Sequence, residues 1–370
     1  MILGVSAEQE ELRASVRRFL ADRAPMSRVR ELMDGGETDW AVWEQAGSQL
    51  GLQGLAIPES YGGAGFSFAE QAVVLEEFGA ALYGGPYLAS AVLAATALLA
   101  SPDEGARRGL LPDIASGQTV ATLAFTEDGG SWDPAAIRLS AVKDGEAWRL
   151  DGHKSFVLDG ATAGLILVVA TTDAGLSLFA VEGDVDGLSR AALPALDQTR
   201  QLARLEFAGV TGRLIGSPGD GAAALDRALD VAAVALAAEQ LGGAQRALDM
   251  AVEYAKVRRQ FDRPIGSFQA IKHRCADLLL EVESLRSAVG YAAAAVAEDS
   301  AEIPVLASLV KAYASETYFH VAAENIQIHG GIGFTWEHDA HLYFKRAKAS
   351  ELFLGDGAYH RERLATRIGL

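Results

Sequence analysis

Apolar residues recur at helical spacing over the first third of the chain. Ser6 precedes an acidic first turn, which is typical of a helix N-terminus, and an apolar stripe follows on one helical face. The stripe consists of Leu12, Val16, Phe19 and Leu20. A segment rich in proline and glycine, residues 57–65, interrupts the pattern, and helical periodicity resumes at 68–78 and 87–99. The pattern predicts an α-helical N-terminal domain over residues 1–117.

The pattern then changes to short runs of β-branched and aromatic residues, separated by turn residues at 143–146 and 172–175. The runs are 119–125, 137–142, 148–150, 165–171, 176–181 and 202–207. Runs of strand length with turns between them are typical of an antiparallel sheet. Residues 118–218 are therefore predicted to form a central antiparallel β domain.

Long alanine-rich amphipathic segments occupy the last part of the chain. These segments are 224–258, 267–298 and 303–328, and a last helix is expected near the C-terminus. They predict a C-terminal four-helix bundle over residues 219–370. The order of helices, β domain and long helices within one α+β chain is uncommon, so it restricts the possible families.

The composition is that of a folded globular protein, with 50% hydrophobic and 22% charged residues. The formal net charge is −17 and no basic run occurs, which argues against nucleic acid and an anionic membrane surface as partners. No apolar run is long enough to span a bilayer, and the first residues lack the pattern of a signal peptide. We therefore expect a cytoplasmic protein. A small ligand that carries phosphate remains compatible with this charge, because a few local arginines or N–H groups bind phosphate.

Two segments in the C-terminal part combine arginine, aromatic residues and glycine. The first reads Tyr-Ala-Lys-Val-Arg-Arg-Gln-Phe-Asp-Arg-Pro from residue 254, and the second reads Gln-Ile-His-Gly-Gly-Ile-Gly-Phe from residue 327. Together they closely resemble the two signatures of the acyl-CoA dehydrogenases. A guanidinium pairs with phosphate, and glycines let backbone N–H groups approach an anion. The alternative interpretation is a charged helix end, a proline turn and a glycine-rich helix stop.

The resemblance covers nearly the entire chain, and it implies FAD as the cofactor. In the family, the first signature reaches the FAD of a neighbouring subunit and the second lines its pyrophosphate, so we expect a homotetramer or an α2β2 tetramer with a related subunit. The corresponding residues here are Arg258, Gln260, Phe261, Gln327, Gly330 and Gly331. The implied reaction is α,β-dehydrogenation of an acyl-CoA thioester to the trans-2-enoyl-CoA, with electrons passed to an electron-transfer flavoprotein.

Two segments of the β domain also resemble flavin-binding elements of this family. Residues 124–131 resemble the flavin loop, in which Thr126 would bond the flavin ring edge, although Asp128 stands where proline is usual and the loop is one residue short. In a later strand, Phe156 takes the place of a tryptophan that flanks the flavin, and Leu158 replaces a threonine and has no hydroxyl for flavin N5. The candidate residues are Phe125, Thr126, Ser131, Phe156 and Leu158. Taken alone, the loop is a plain turn and the strand is part of a core.

The catalytic glutamate of the family is absent from its usual place. That glutamate lies in a Y-E-G-T segment, which aligns with residues 353–356, and Leu354 occupies the glutamate position. An apolar side chain cannot accept the α-proton of the substrate. A second position used by some members aligns with Ala232 and is also empty. Leu354 retains the backbone N–H that polarises the thioester carbonyl in the family.

Three interpretations of the missing glutamate remain open. Asp356 or Asp230 serves as the base; or a partner subunit in an α2β2 assembly carries the glutamate and this chain completes the FAD site; or the flavin reaction is a different one. A fatty acyl chain and a steroid side chain are both compatible with the sequence. No metal site is predicted, because His338 and His341 lack further ligands nearby.

Overall fold

The computed structural model of the protein describes residues 6–35, 38–145 and 147–370, which form two compact units. The helical unit comprises the described residues of Met1–Glu31 together with Phe68–Tyr83 and Ala233–Leu370. The sheet unit comprises the described residues of Leu32–Ser67 and of Gly84–Ala232. Glu146, the last residue of one predicted turn, lies outside the described residues.

The described residues form eleven α-helices, of which those predicted at 68–78, 224–258, 267–298 and 303–328 lie close to their predicted boundaries. They are α1 (Ala7–Arg23), α2 (Met26–Gly35), α3 (Trp40–Leu50), α4 (Phe68–Ala80), α5 (Ala95–Ala100), α6 (Glu104–Ala115), α7 (Gly221–Val257), α8 (Gln269–Ala297), α9 (Ile303–His329), α10 (Ala340–Leu352) and α11 (Gly357–Arg367). At the start of α1, Ser6 and Gln9 cap each other's backbone N–H groups reciprocally. A π-helical segment, Leu88–Ala94, leads into α5. Within the described ranges, no helix is long and apolar enough to cross a membrane.

The C-terminal end contains two helices, α10 and α11, where the sequence predicted one. The break lies at Leu354 and Gly355, which have φ values of 62° and 101° and so cannot continue a right-handed helix. Asp356 then starts α11, because its Oδ1 accepts the Tyr359 N–H at 2.8 Å as an N-cap.

The sheet unit is built on seven strands. They are β1 (Ala121–Ala124), β2 (Ser140–Asp144), β3 (Ala147–Leu158), β4 (Leu165–Thr172), β5 (Gly175–Glu182), β6 (Leu188–Leu193) and β7 (Leu202–Ile215). The order is β1-β4-β2-β3-β7-β5, with β6 paired to β7. Because β5 also pairs with β4, the path closes on itself and leaves few free edges. Pairing is antiparallel as predicted, except that β1 and β2 each pair with β4 in parallel.

Strand β6 was not predicted from the sequence. Its six residues are exposed or half-buried throughout, so no alternation of apolar and polar residues marks it. It exists because the backbone of Leu188–Leu193 pairs with β7, from Leu188 opposite Phe207 to Leu193 opposite Leu202.

Helices α4 and α7 of the helical unit cross with their backbones in contact. A Cβ added at Gly79 would lie 1.8 Å from the Glu239 carbonyl oxygen, and one at Gly242 would lie 1.7 Å from that of Glu76. Only glycine fits these two positions, because any larger residue would force the helices apart. The crossing fixes the part of α7 that leads toward the first signature segment.

Candidate functional site

The loop that follows β1 is tied to β3 through Thr126. The Thr126 hydroxyl donates to the Ser155 carbonyl at 2.5 Å, and the Ser155 N–H donates to the Thr126 carbonyl at 2.9 Å. Thr126 is 3% exposed, and its own N–H finds no acceptor among the described residues. Buried N–H groups are almost always paired, so this donor is compatible with an acceptor on a bound ring edge.

A buried lysine holds the same loop from the side of β3. Lys154 is fully buried, and its Nζ donates to the Phe125 carbonyl and to Glu127 Oε1, both at 3.0 Å. Burial lowers the pKa of Lys154 to about 8, although Glu127 opposes the shift. Lys154 was not predicted as a site residue from the sequence. The available signal was a lysine two residues before Phe156, in the strand that resembles a flavin-binding element of the family.

Asp128, which stands where the family has proline, anchors the loop to β7. Arg204 Nε lies 3.0 Å from Asp128 Oδ1 and its Nη2 lies 3.0 Å from Oδ2, while His153 Nε2 lies 3.2 Å from Oδ2. Hydrogen bonds from Arg204 and Ser155 lower the pKa of the Asp128 carboxyl to about 2. The bidentate ion pair between Arg204 and Asp128 thus restrains the loop at the position where the family has a proline ring. Arg204 was missed because the pairing depends on strand register.

Phe156 sits on a β-bulge in β3 and lies next to the loop. It has a φ of 57°, and the register with β7 shifts between Lys154 and Val157. A Cβ placed on Gly130 would lie 3.8 Å from the Phe156 ring, so ring and loop are neighbours. The bulge therefore leaves Phe156 half-buried beside the loop, in keeping with the expected stacking role.

Of the remaining candidates of the sheet unit, Phe125 accepts from Lys154 through its carbonyl, and Leu158 and Ser131 contribute less to this arrangement. Leu158 is 3% exposed, and its carbonyl accepts the Thr122 hydroxyl at 2.6 Å, so the residue is part of the core. Ser131 is exposed and its Oγ accepts the Asp133 N–H at 3.2 Å.

The first signature segment ends in an exposed hairpin of the helical unit. Strands β8 (Arg259–Gln260) and β9 (Arg263–Pro264) pair across a two-residue turn in which Phe261 and Asp262 have φ values of 51° and 61°. Two consecutive positive φ angles are typical of a type I′ turn. Phe261 is 85% exposed, and Arg258 and Gln260 are exposed as well.

The second signature segment lies beside the first at the end of α9. Tyr254 stacks on His329 with ring centroids 4.2 Å apart, which joins the ends of α7 and α9. Gln327, Gly330 and Gly331 are exposed. A Cβ on either glycine would meet nothing within 4 Å. Packing within the described chain therefore does not require Gly331 to be glycine, whereas close approach of an anionic ligand does.

The candidate bases lie in different surroundings. Asp356 belongs to the helical unit, and its carboxylate already caps α11. Asp230 belongs to the sheet unit, lies on α7 and is 7% exposed. Leu354 is 4% exposed, and its carbonyl accepts a hydrogen bond from His360 Nε2 at 2.9 Å. The carboxylate of Asp356 is thus directed to the Tyr359 N–H of α11.

The histidines near the second signature are packed rather than grouped as ligands. His338 Nδ1 accepts the Ala340 N–H at 3.1 Å, and His341 packs edge-on against Trp336 at 4.9 Å. The described ranges contain no group of three or more His, Cys, Asp or Glu residues that could hold a metal ion.

Buried histidines should make the protein sensitive to acid. Burial, followed by the charges of Lys345 and Arg30, lowers the pKa of His341 to about 4, and burial followed by Lys311 lowers that of His360 to about 3. The unfolded chain protonates both near pH 6.5. The stability contributed by keeping these two histidines neutral is therefore fully present above pH 6.5. It is lost as the pH falls from 6.5 toward 4 for His341 and toward 3 for His360.

We expect the thermal midpoint to decrease between pH 7 and pH 4.5, and to decrease less in a His341→Phe variant. A scan of unfolding temperature against pH measures both. Equal pH profiles for the two proteins would contradict this role for His341.

Sequence models of the acyl-CoA dehydrogenases match the chain in three parts. The N-terminal domain model matches residues 6–118, the middle domain model residues 122–210, and the C-terminal domain model residues 219–369. The chain is 37% identical over 363 residues to the acyl-CoA dehydrogenase IpdE2 of Mycobacterium tuberculosis, which covers 98% of this chain and 97% of that protein.

Solved structures agree with these matches. A variant of the Tcur3481-Tcur3483 steroid ACAD is 34% identical with a TM-score of 0.89, covering 99% of this chain and 98% of that one. The ChsE4-ChsE5 complex from Mycobacterium tuberculosis is 31% identical with a TM-score of 0.90, covering 100% and 99%. The predicted family and α+β fold are confirmed, and the chain belongs to the acyl-CoA dehydrogenase family.

Proposed function

We propose that the chain takes part in FAD-dependent α,β-dehydrogenation of an acyl-CoA thioester to the trans-2-enoyl-CoA, with electrons passed to an electron-transfer flavoprotein. The arrangement around Thr126 carries this proposal. A loop with an unpaired buried N–H is fixed by Lys154 and Arg204 and flanked by Phe156. Rigid placement of a donor beside an aromatic ring suits a flat cofactor.

The residues present fit FAD in both units. In the sheet unit, Thr126 would bond the ring edge and Phe156 would pack against the ring. In the helical unit, Arg258 would pair with phosphate of the FAD in a neighbouring subunit, and the N–H groups at Gly330 and Gly331 would line its pyrophosphate. FAD, when bound, accepts the hydride from the β-carbon. The protein has to bind the thioester, orient it and remove the α-proton.

Removal of the α-proton is the step for which this chain lacks the usual group. Leu354 cannot accept a proton, and Asp356 is engaged as a helix cap. We propose that a second, related subunit supplies the glutamate in an α2β2 assembly. Two similar structures support this, because their names give two different components, Tcur3481-Tcur3483 and ChsE4-ChsE5.

Exposed aromatic residues support the assembly. Phe261 is 85% exposed, Phe334 73% and Trp336 63%, and all three lie on or next to the signature segments of the helical unit. Large exposed apolar side chains mark surfaces that bind other proteins. We propose that they are covered by a neighbouring subunit together with its FAD.

A bulky acyl group, such as a steroid side chain, is the proposed substrate class. One similar structure is named a steroid ACAD. In α7 the residues around Ala232 have small side chains, with the sequence Ala-Ala-Val-Ala-Leu-Ala-Ala over 232–238. This segment is apolar at the position where some members of the family carry a glutamate, which suits a bulky apolar acyl group.

The test is anaerobic titration of the purified protein, alone and with a related subunit that carries the glutamate. Straight-chain and steroid side-chain acyl-CoAs are added and the flavin absorption is followed. We expect bleaching only with the partner present, and no effect of Asp356→Asn or Asp230→Asn on its rate. Asparagine is as good an N-cap as aspartate, so Asp356→Asn changes the charge and keeps the helix start.

Other outcomes separate the remaining interpretations. Bleaching by the chain alone that one of the two asparagine variants abolishes would identify that aspartate as the base. A yellow complex that no acyl-CoA bleaches would favour a different flavin reaction.

A further inference from the structure

Residues 353–356, which we call the 354 loop, join α10 to α11 in an unfavourable conformation. Leu354 has a φ of 62°, in the left-handed region where a residue with a Cβ is disfavoured. A single glycine there would remove the strain. Such a conformation persists only when the surrounding structure holds it in place.

Lys311 holds the 354 loop from both ends. This residue of α9 is fully buried, and its Nζ donates to the Glu351 carbonyl at 3.1 Å and to the Gly355 carbonyl at 2.9 Å. It also donates to Ser315 Oγ at 2.9 Å. The ammonium group therefore bridges the carbonyls on either side of Leu354 and fixes the loop relative to α9.

His360 holds the centre of the 354 loop. Its Nε2 lies 2.9 Å from the Leu354 carbonyl, which can only accept, so Nε2 carries the hydrogen. Burial lowers the pKa of His360 to about 3, and the imidazole is neutral at working pH. The contact fixes the orientation of the Leu354 peptide.

The Leu354 N–H is left without an acceptor. Its neighbours are paired, since the Phe353 N–H donates to the Ala349 carbonyl at 3.0 Å and the Gly355 N–H to the Leu352 carbonyl at 3.3 Å. Leu354 is 4% exposed, yet no acceptor for its N–H occurs among the described residues. A fixed, buried and unpaired donor is suited to an oxygen that arrives with a ligand.

We propose that Lys311 and His360 are positioning residues that fix the Leu354 N–H to bind the thioester carbonyl of an acyl-CoA. The inference rests on the proposed function and extends it. The chain has an acyl-thioester site of its own, although it has no glutamate at position 354. Both residues act through the backbone, and neither touches the substrate.

The experiment compares His360→Leu with His360→Gln, whose side-chain N–H can replace Nε2. Octanoyl-CoA and one steroid side-chain CoA thioester, each labelled with 13C at the carbonyl, are bound to the FAD-loaded protein and observed by infrared difference spectroscopy. We expect the carbonyl band of at least one thioester to shift to lower frequency in the wild type. The shift should be lost in His360→Leu, with about fivefold to tenfold weaker binding, and recovered in His360→Gln.

His320→Leu is the matched control, because His320 is an exposed histidine of α9 that pairs with Glu281. It should keep both the shift and the affinity. An unchanged shift in His360→Leu, no recovery in His360→Gln, or no binding of either thioester by the wild type would overturn the proposal.

A measurement on the wild type alone covers the case in which His360→Leu does not fold. S-Octyl-CoA, a thioether without the carbonyl, should bind about fivefold more weakly than octanoyl-CoA. Equal affinities overturn the inference. The proposed function fails separately, when no acyl-CoA bleaches the flavin of the complex with the partner subunit.

Discussion

The Leu354→Glu variant, loaded with FAD, is expected to bleach on addition of an acyl-CoA without any partner subunit. Its rate should exceed that of the parent chain by about 10²–10⁴-fold, the usual contribution of a placed general base. The 354 loop is held through carbonyl groups, so the backbone should keep its conformation when the side chain changes. Position 354 is 4% exposed, and burial raises a carboxyl pKa toward the working pH.

Anaerobic stopped-flow absorption measures this rate directly. Leu354→Gln is the control, because glutamine has the size and polarity of glutamate but no basic carboxylate. The two variants should bind an acyl-CoA similarly and differ in the rate of bleaching. Equal rates would show that position 354 does not face the α-proton of the substrate in this chain.

The second large effect is expected from the buried ion pair between α7 and α10. Arg346 Nη1 lies 2.7 Å from Glu239 Oε1, with side-chain exposures of 1% and 8%. Arg346→Met removes this cation from beside the buried Glu239 carboxylate, and we expect a loss of about 3–5 kcal/mol in stability. Changing Glu239→Leu as well should restore most of this loss, because two apolar residues leave no charge to compensate.

Thermal unfolding of the single and double variants tests this coupling. Arg361→Met is the control, since Arg361 and Glu316 form an exposed pair in which both side chains are 56% exposed. That change should cost less than about 1 kcal/mol. A double variant as unstable as Arg346→Met alone would mean that Arg346 stabilises the helices through contacts other than Glu239.

Local signals predicted most of the fold. The cap at Ser6 and the runs of β-branched residues can each be recognised in a short stretch of sequence. The structure has a helix after Ser6 and strands at these runs. Strand β6 and the separation of α10 from α11 were not predicted. Strand β6 depends on backbone pairing with β7 and has no apolar alternation of its own. The break between α10 and α11 depends on the left-handed conformation of Leu354, which a leucine does not predict.

The candidate site likewise contains residues that could be predicted from the sequence and residues that could not. Thr126, Phe156 and the two signature segments were found by resemblance, and their exposure and neighbours are compatible with the predicted roles. Lys154 and Arg204 were missed. Each acts on a loop that lies far away in sequence, and only the register of β3 and β7 brings them to it.

The contacts that hold the 354 loop bear on which side chains position 354 can carry. Lys311 and His360 contact this loop through the carbonyl oxygens of residues 351, 354 and 355, and these are the same whatever side chain residue 354 carries. The backbone contacts that fix the loop therefore do not depend on the side chain at position 354. One and the same loop backbone can therefore present either a leucine or a carboxylate at position 354, and its N–H stays in place in both cases.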